Sequence, residues 1–154
     1  MSVYAFGSGK IGQLGIDGAQ EALDPAVISA LKGRRIVRVS ASEQTSLAVS
    51  ELGDVWVWGR GREGQTAQGD AAGATQARAN AMVPVRVEGL RHERIVDAVC
   101  GSQHCVAVSD TGRVYTWGKL HRGSCLACLV VPPFLRALTP GKYVATRWRS
   151  LQQR

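Results

Sequence analysis

The sequence predicts an all-β chain of antiparallel propeller blades, with about two to two and a half blades, too few to close a ring. Three observations predict it. A strand-and-turn segment recurs three times, short apolar runs of strand length surround each copy, and the central strands have no polar face.

The segment is first met at residues 3–15, VYAFGSGKIGQLG. Alone, a strand followed by Gly7-x-Gly9-x-x-Gly12 reads as a dinucleotide-binding loop, which requires a helix opening at the third glycine and an acidic residue about twenty positions on. The next residues are Gln13-Leu14-Gly15-Ile16-Asp17-Gly18. Each glycine inside a helix costs roughly 1 kcal/mol relative to alanine, so no helix is expected. The segment then returns as VWVWGRGREGQ at 55–65, without a gap, and as VYTWGKLHRG from 114. A cofactor loop is used once per domain, whereas a turn in a repeating unit recurs. The glycines are punctuation, and no cofactor or catalytic residue is expected.

The repeat extends beyond this turn. Residues 36–59, IVRVSASEQTSLAVSELGDVWVWG, align without a gap on 95–118, IVDAVCGSQHCVAVSDTGRVYTWG, and Pro25 and Pro84 keep the same spacing. Extra residues fall in TAQGDAAGATQARANAMV, 66–83, whose composition reads as a solvated loop. A unit of 52 to 59 residues, the offsets of these alignments, points to a repeat architecture.

Within each unit the apolar runs are strands. Ile36–Val39, Ser46–Val49 and Val55–Trp58 are short and rich in β-branched or aromatic residues. Glu51-Leu52-Gly53-Asp54 and Asp110-Thr111-Gly112-Arg113 supply tight turns between the second and third of them. Val-Trp-Val-Trp and Val-Tyr-Thr-Trp do not alternate apolar with charged. Neighbouring strand residues point to opposite faces, so both faces must be covered, and radial stacking of four-stranded blades does this.

Val-Tyr-x-Trp-Gly, then Gly-x-x-Gly-Gln, then VCGSQHCVAVSDTG resembles the repeats of the regulator of chromosome condensation family over roughly residues 3–123. Cys100-Gly101-Ser102-Gln103-His104, Gly112, Trp117-Gly118 and Gly64-Gln65 carry the likeness; in the earlier copy Ala41, Ser42 and Thr45 depart from it. The resemblance implies a seven-bladed propeller. It also implies a range of functions: nucleotide exchange on a small nuclear GTPase with chromatin binding, ubiquitin-ligase modules, ciliary scaffolds and a plant ultraviolet photoreceptor. Fold alone does not choose among them. The Gly-Trp-Arg-His-Thr stretch of the photoreceptor is absent from the sequence, which argues against light sensing. No exchange-loop residue of the family maps onto these repeats.

Two blades cannot close a ring, and repeat proteins generally need at least three units. The chain therefore reads as a piece of a longer protein, or as a subunit whose copies assemble. An open arc is expected to leave Trp56, Trp58 and Trp117 partly exposed. Residues 1–123 read as the repeat region, and 124–154 as a basic, non-repeat tail for which disorder is open.

Residues 1–118 carry equal numbers of basic and acidic side chains, so the net charge of +7 lies entirely beyond them. The tail reads first as sequence that is not evolved repeat, as a truncated or misjoined gene would give, and secondly, with Tyr143 and Trp148, as a basic arm for nucleic acid or anionic lipid. It offers no span: CLACLVVPPFL is shorter than the roughly twenty residues required and is broken by Pro132-Pro133.

Cys125 and Cys128 have C-x-x-C spacing, with His121 nearby, but no partner pair accompanies them. Cys100 and Cys105 stand where the sister repeat has Ala41 and Ser46, so they are expected to be compact core residues and no metal is expected. His104 lacks a nucleophile or carboxylate partner in any recurring arrangement and is expected to play a structural, hydrogen-bonding role. Arg60, Arg62 and Lys119 sit in the turns after the Trp-Gly pairs, where propeller partners touch.

The functional expectation is a protein-binding scaffold without covalent chemistry. Guanine-nucleotide exchange on a small GTPase is the alternative, and nucleic-acid or membrane binding through the tail a third reading. The expected partner is a protein, such as a small GTPase or chromatin protein, with self-assembly also open. No signal-peptide pattern follows Met1-Ser2, and the four cysteines form no dense framework, so an intracellular location, cytoplasmic or nuclear, is expected.

Overall fold

The computed structural model describes residues 2–68 and 79–119, and the backbone of 127–129. It contains β1 (Tyr4–Ser8), β2 (Glu21–Val27), β3 (Ile36–Ala41), β4 (Thr45–Ser50), β5 (Val55–Gly59), β6 (Ala81–Arg86), β7 (Ile95–Cys100), β8 (His104–Ser109), β9 (Val114–Gly118) and β10 (Ala127–Leu129). Single 3-10 turns at Ser29–Leu31 and Glu88–Leu90 precede β3 and β7.

All pairing is antiparallel. The strands form a two-stranded sheet, β1-β2, and two four-stranded sheets, β3-β4-β5-β6 and β10-β9-β8-β7. These are half a blade and two whole blades, part of a propeller. The halves of the repeat correspond strand for strand: β1, β5 and β9 carry the Trp-Gly or Phe-Gly motif, and β2 and β6 carry Pro25 and Pro84. Proline within a run argues against a central strand, and both of these strands lie on a sheet edge. The segment read as a loop over 66–83 ends sooner than expected, because β6 begins at Ala81. Met82 and Val83 belong to the pleat. Beyond the Ser124 boundary, Ala127–Leu129 pair with β9. The remaining expectations for the tail, including its basic side chains and Cys125, lie outside the described residues, as does the side chain of Cys128.

The two whole blades pack with β7 against β3 and β4. β4 and β5 are buried at every position, as strands sandwiched between two layers must be. β8, by contrast, alternates buried residues with less buried ones, because no described strand layer covers its far face. One core cluster, including Leu47, Val57, Tyr115 and Trp117, joins the two whole blades. A second, including Ile28, Leu31, Trp56 and Trp58, joins the half-blade to the first of them.

The expectation of exposed tryptophans is corrected. Trp56, Trp58 and Trp117 are all buried, and the exposed aromatics are Tyr4 and Phe6. Among the described residues β1 is paired on one side only, whereas β5 and β9 are paired on both sides and enclosed within their blades.

The tight turns form as expected. Gly53 and Gly112 both adopt left-handed φ, at 91° and 81°, between the second and third strands of their blades. At the end of the third strand Gly59 meets a second requirement: a Cβ there would collide with the backbone carbonyl of Gln44.

Candidate functional site

The turns after β1 and β5 hold the recurring glycine spacing, and the candidate surface residues Arg60, Arg62 and Lys119 follow β5 and β9. The first function of these turns is mechanical. The backbone carbonyl of Gln13 accepts from Trp58 Nε1 at 2.9 Å and from Ser46 Oγ at 2.8 Å, both in the next blade. The backbone carbonyl of Gln65 accepts from Trp117 Nε1 at 2.7 Å and, weakly, from the Cys105 thiol at 3.9 Å. Each glutamine side chain folds back on its own turn, Oε1 accepting from Ile11 N at 3.1 Å or from Glu63 N at 2.9 Å. The Gly-Gln turn of one blade therefore clasps the third-strand tryptophan of the next. This role went unread in the sequence, although Gly-x-x-Gly-Gln in one copy and Trp-Gly in the following copy were its visible halves. At the corresponding place after β9 the sequence has Ser124 in place of glutamine.

The cysteines divide by position. Cys105 is fully buried in the core, and burial, reinforced by Cys100, pushes its thiol far above the ordinary value of 9.0. Its thiolate is suppressed, so it is neither a nucleophile nor a ready ligand. Cys100 is half-buried in the seam between blades, where its thiol donates to the backbone carbonyl of Thr45 at 3.2 Å, and its amide donates to Ser40 Oγ at 3.1 Å. Among the described residues no cluster of three or more His, Cys, Asp or Glu side chains could hold a metal.

His104 is exposed, and among the described residues its ring makes no hydrogen bond. Its counterpart Thr45 is fully buried, because β7 of the following blade lies over it. Position in the stack, more than residue type, decides the environment here.

Arg60, Arg62 and Lys119 all lie at the end of the blades where third strands finish. The Arg60 amide donates to the Gln44 carbonyl at 2.8 Å and that of Lys119 to the Gln103 carbonyl at 2.8 Å, an equivalence that fixes both side chains at the same place in successive blades. The Arg60 guanidinium donates to Gln44 Oε1. Lys119 Nζ stands 3.8 Å from the Glu63 carboxylate, which draws it toward the turn that holds Arg62. Arg62 itself is exposed and makes no ion pair among the described residues. The structure thus groups Arg62, Glu63 and Lys119 and leaves Arg60 a partnered residue of the neighbouring turn.

The regulator of chromosome condensation (RCC1) repeat model matches residues 2–49 and 53–108. The chain belongs to the RCC1 repeat family. A second model of the same repeat matches 36–65 and 95–123. Human E3 ubiquitin-protein ligase HERC2 is 35% identical over 121 residues, which is 79% of this chain and 2% of the ligase. Among solved structures, human WBSCR16 superposes with a TM-score of 0.72 at 25% identity, covering 90% of this chain and 35% of that one. Prp20p from Saccharomyces cerevisiae, whose structure was described with its binding to Gsp1p and histones, gives 0.64 at 23% identity, over 76% of this chain and 29% of that one. The RCC1-type strand stack seen here thus spans a third or less of the length of HERC2 and Prp20p and about a third of WBSCR16. Among the described residues no helix is long and apolar enough to cross a membrane.

Proposed function

We propose that this RCC1-type chain serves as part of a protein-binding scaffold, with its contact surface on the turn face that carries Arg60, Arg62 and Lys119. The carrying observation is the exposed Arg62 guanidinium, without an ion pair among the described residues, beside a Glu63–Lys119 pair. A rigid blade end that presents a cation in a turn suits an acidic patch on a partner. HERC2 is named as a ligase, but a match over 2% of its length carries no ligase activity here.

Guanine-nucleotide release from a small GTPase is the second reading. Its support is the likeness to Prp20p, and at 23% identity that likeness carries fold alone. The test is cross-linking in cells with the full chain, comparing wild type with Arg62→Glu and Lys119→Glu and identifying captured proteins by mass spectrometry. The scaffold reading expects specific partners lost in both variants at unchanged thermal stability, and an unchanged rate of nucleotide release from a purified small GTPase. Partners retained in both variants would move the contact surface off this face, and accelerated release would favour exchange.

A further inference from the structure

The second whole blade carries a pair of thiols in a register that the first fills with other residues. Cys100 of β7 stands directly opposite Cys105 of β8. In the first blade the same register sets Ala41 opposite Ser46, so the architecture requires sulfur at neither place. The cysteines form a pair of the non-hydrogen-bonded kind. One step nearer the hairpin turn, the Gly101 amide donates to the His104 carbonyl at 2.8 Å, which makes Gly101 and His104 the bonded pair. The Cys100 amide turns away from β8 and donates to Ser40 Oγ at 3.1 Å. Residues so placed hold their Cα atoms about 4.5 Å apart, and a disulfide spans Cα separations of about 4.4 to 6.8 Å.

Both side chains leave the sheet on the same face. The Cys100 thiol reaches the Thr45 carbonyl and the Cys105 thiol the Gln65 carbonyl, two acceptors of the preceding blade. Each carbonyl has a better donor: that of Thr45 accepts from the Ser42 amide at 2.8 Å, and that of Gln65 from Trp117 Nε1 at 2.7 Å. Neither acceptor is orphaned when its thiol turns aside, so the sulfurs are free to meet each other. The contribution of Cys100 to raising the Cys105 thiol agrees with their nearness. Access is unequal. Cys100 is half-buried in the seam between blades, whereas Cys105 is fully buried.

We propose that Cys100 and Cys105 are a site of reversible oxidation, forming a cross-strand disulfide by exchange with a small-molecule disulfide such as oxidised glutathione. The Cys100 thiol loses its proton and attacks one sulfur of the small disulfide. A mixed disulfide forms on Cys100, the old sulfur–sulfur bond breaks, and one half leaves as a thiolate that takes up a proton. The Cys105 sulfur, giving up its own proton, then attacks the Cys100 sulfur and expels the second half in the same way. Two electrons pass from the cysteine pair to the small disulfide, and two protons end on the two thiols released. Burial withholds the Cys105 thiolate while the seam is closed, so the second step is the slow one and proceeds when the blades part. The bond removes both thiol donors from the seam at once. It stands at the foot of the hairpin turn whose Gln103 carbonyl holds the Lys119 amide and whose Ser102 carbonyl accepts from Gln65 Nε2 at 3.4 Å. It forms whether or not that end of the blades binds a partner.

The test equilibrates the full chain in mixtures of reduced and oxidised glutathione, with and without urea, followed by acid quenching, alkylation and tryptic mass mapping. Equilibrium is approached from the oxidised and the reduced side, so the slow step does not decide the result. Cleavage after Arg94 and Arg113 releases both cysteines in one peptide, residues 95–113, separate from Cys125 and Cys128. We expect that peptide to lose a pair of hydrogens and to regain them as reduced glutathione is raised. The effective concentration of one thiol for the other should be at least about tenfold higher in the folded chain than in urea, since the fold holds the sulfurs within reach. Cys100→Ala and Cys105→Ser, which install the first blade's residues, should each abolish the internal bond. Cys105→Ser should leave a glutathione adduct on Cys100, and Cys100→Ala should leave none on Cys105. An effective concentration no higher in the folded chain than in urea overturns the proposal. So does a folded chain in which the peptide stays reduced, carries only a glutathione adduct, or is joined to Cys125 or Cys128.

Discussion

The two inter-blade clasps differ in one atom, and that difference sets an order of stabilities. Trp117→Phe removes the indole donor to the Gln65 carbonyl and leaves that carbonyl only the Cys105 thiol at 3.9 Å. A buried acceptor stripped of its good partner costs about 1–3 kcal/mol. The ring atoms lost from a site 1% exposed leave a cavity that adds about 1 kcal/mol, at about 24 cal/mol per Å³. The total is about 2–4 kcal/mol, a large share of the roughly 5–15 kcal/mol of an ordinary domain. Trp58→Phe removes the same donor from the Gln13 carbonyl, but Ser46 Oγ still donates at 2.8 Å. Its hydrogen-bond cost falls to the net value of about 0.5–1.5 kcal/mol, so this variant should be about 1 kcal/mol more stable than Trp117→Phe. Urea unfolding followed by circular dichroism measures both. Cys105→Ser, which places a hydroxyl where the earlier blade has Ser46, should narrow the gap. Equal losses, or a larger loss for Trp58→Phe, would refute the clasp as the reason for the Gly-Gln turn.

Three further outcomes rest on local geometry. Because burial raises the Cys105 thiol above its ordinary value of 9.0, the unfolded chain releases that proton first. Its contribution is complete below about pH 9 and is lost as pH rises, at no more than about 1.4 kcal/mol per unit, and Cys105→Ser should flatten this part of the urea-determined stability profile. Gly53→Ala should cost more than Gly112→Ala in thermal unfolding. Both have left-handed φ, worth about 1–2 kcal/mol, but a Cβ at Gly53 would stand 2.7 Å from the Arg94 Cα and the Ile95 amide nitrogen, whereas nothing lies within 4 Å at Gly112. His104→Thr should stay within about 0.5 kcal/mol of wild type, whereas Thr45→His, at the fully buried counterpart, should lose about 1–3 kcal/mol by overpacking.

Much of the blade was legible because its signals are local. Ile36-Val37-Arg38-Val39 and Val55-Trp56-Val57-Trp58 announce strands through branched and aromatic side chains, and Gly53 and Gly112 announce the turns that join them. Lack of alternation in Val-Trp-Val-Trp correctly required two covered faces, and β5 is buried throughout. The fourth strand was hidden by Pro25 and Pro84, since an edge strand tolerates a proline that the interior of a sheet does not. The clasp was hidden for another reason: Gln13 and Gln65 act through their backbone carbonyls, so the decisive acceptor has no side-chain signature. Of the candidate surface residues, sequence could not separate Arg60 from Arg62. Their distinction comes from Gln44, which the fold brings to Arg60 from the preceding strand connection.

Neighbouring blades explain what composition could not: why equivalent residues differ in exposure. Thr45 and His104 share a place in the repeat, as do Ala98 and Val39, yet one member of each pair is buried and the other exposed. In each case the buried member faces a strand layer that the exposed member lacks. Residue type follows repeat position, while burial follows position in the stack, which is the behaviour of a quasi-one-dimensional array whose units are completed by their neighbours. Tyr4 and Phe6 fall under the same rule. They are large as third-strand residues are in every unit, and they are exposed where, among the described residues, β1 is paired on one side only.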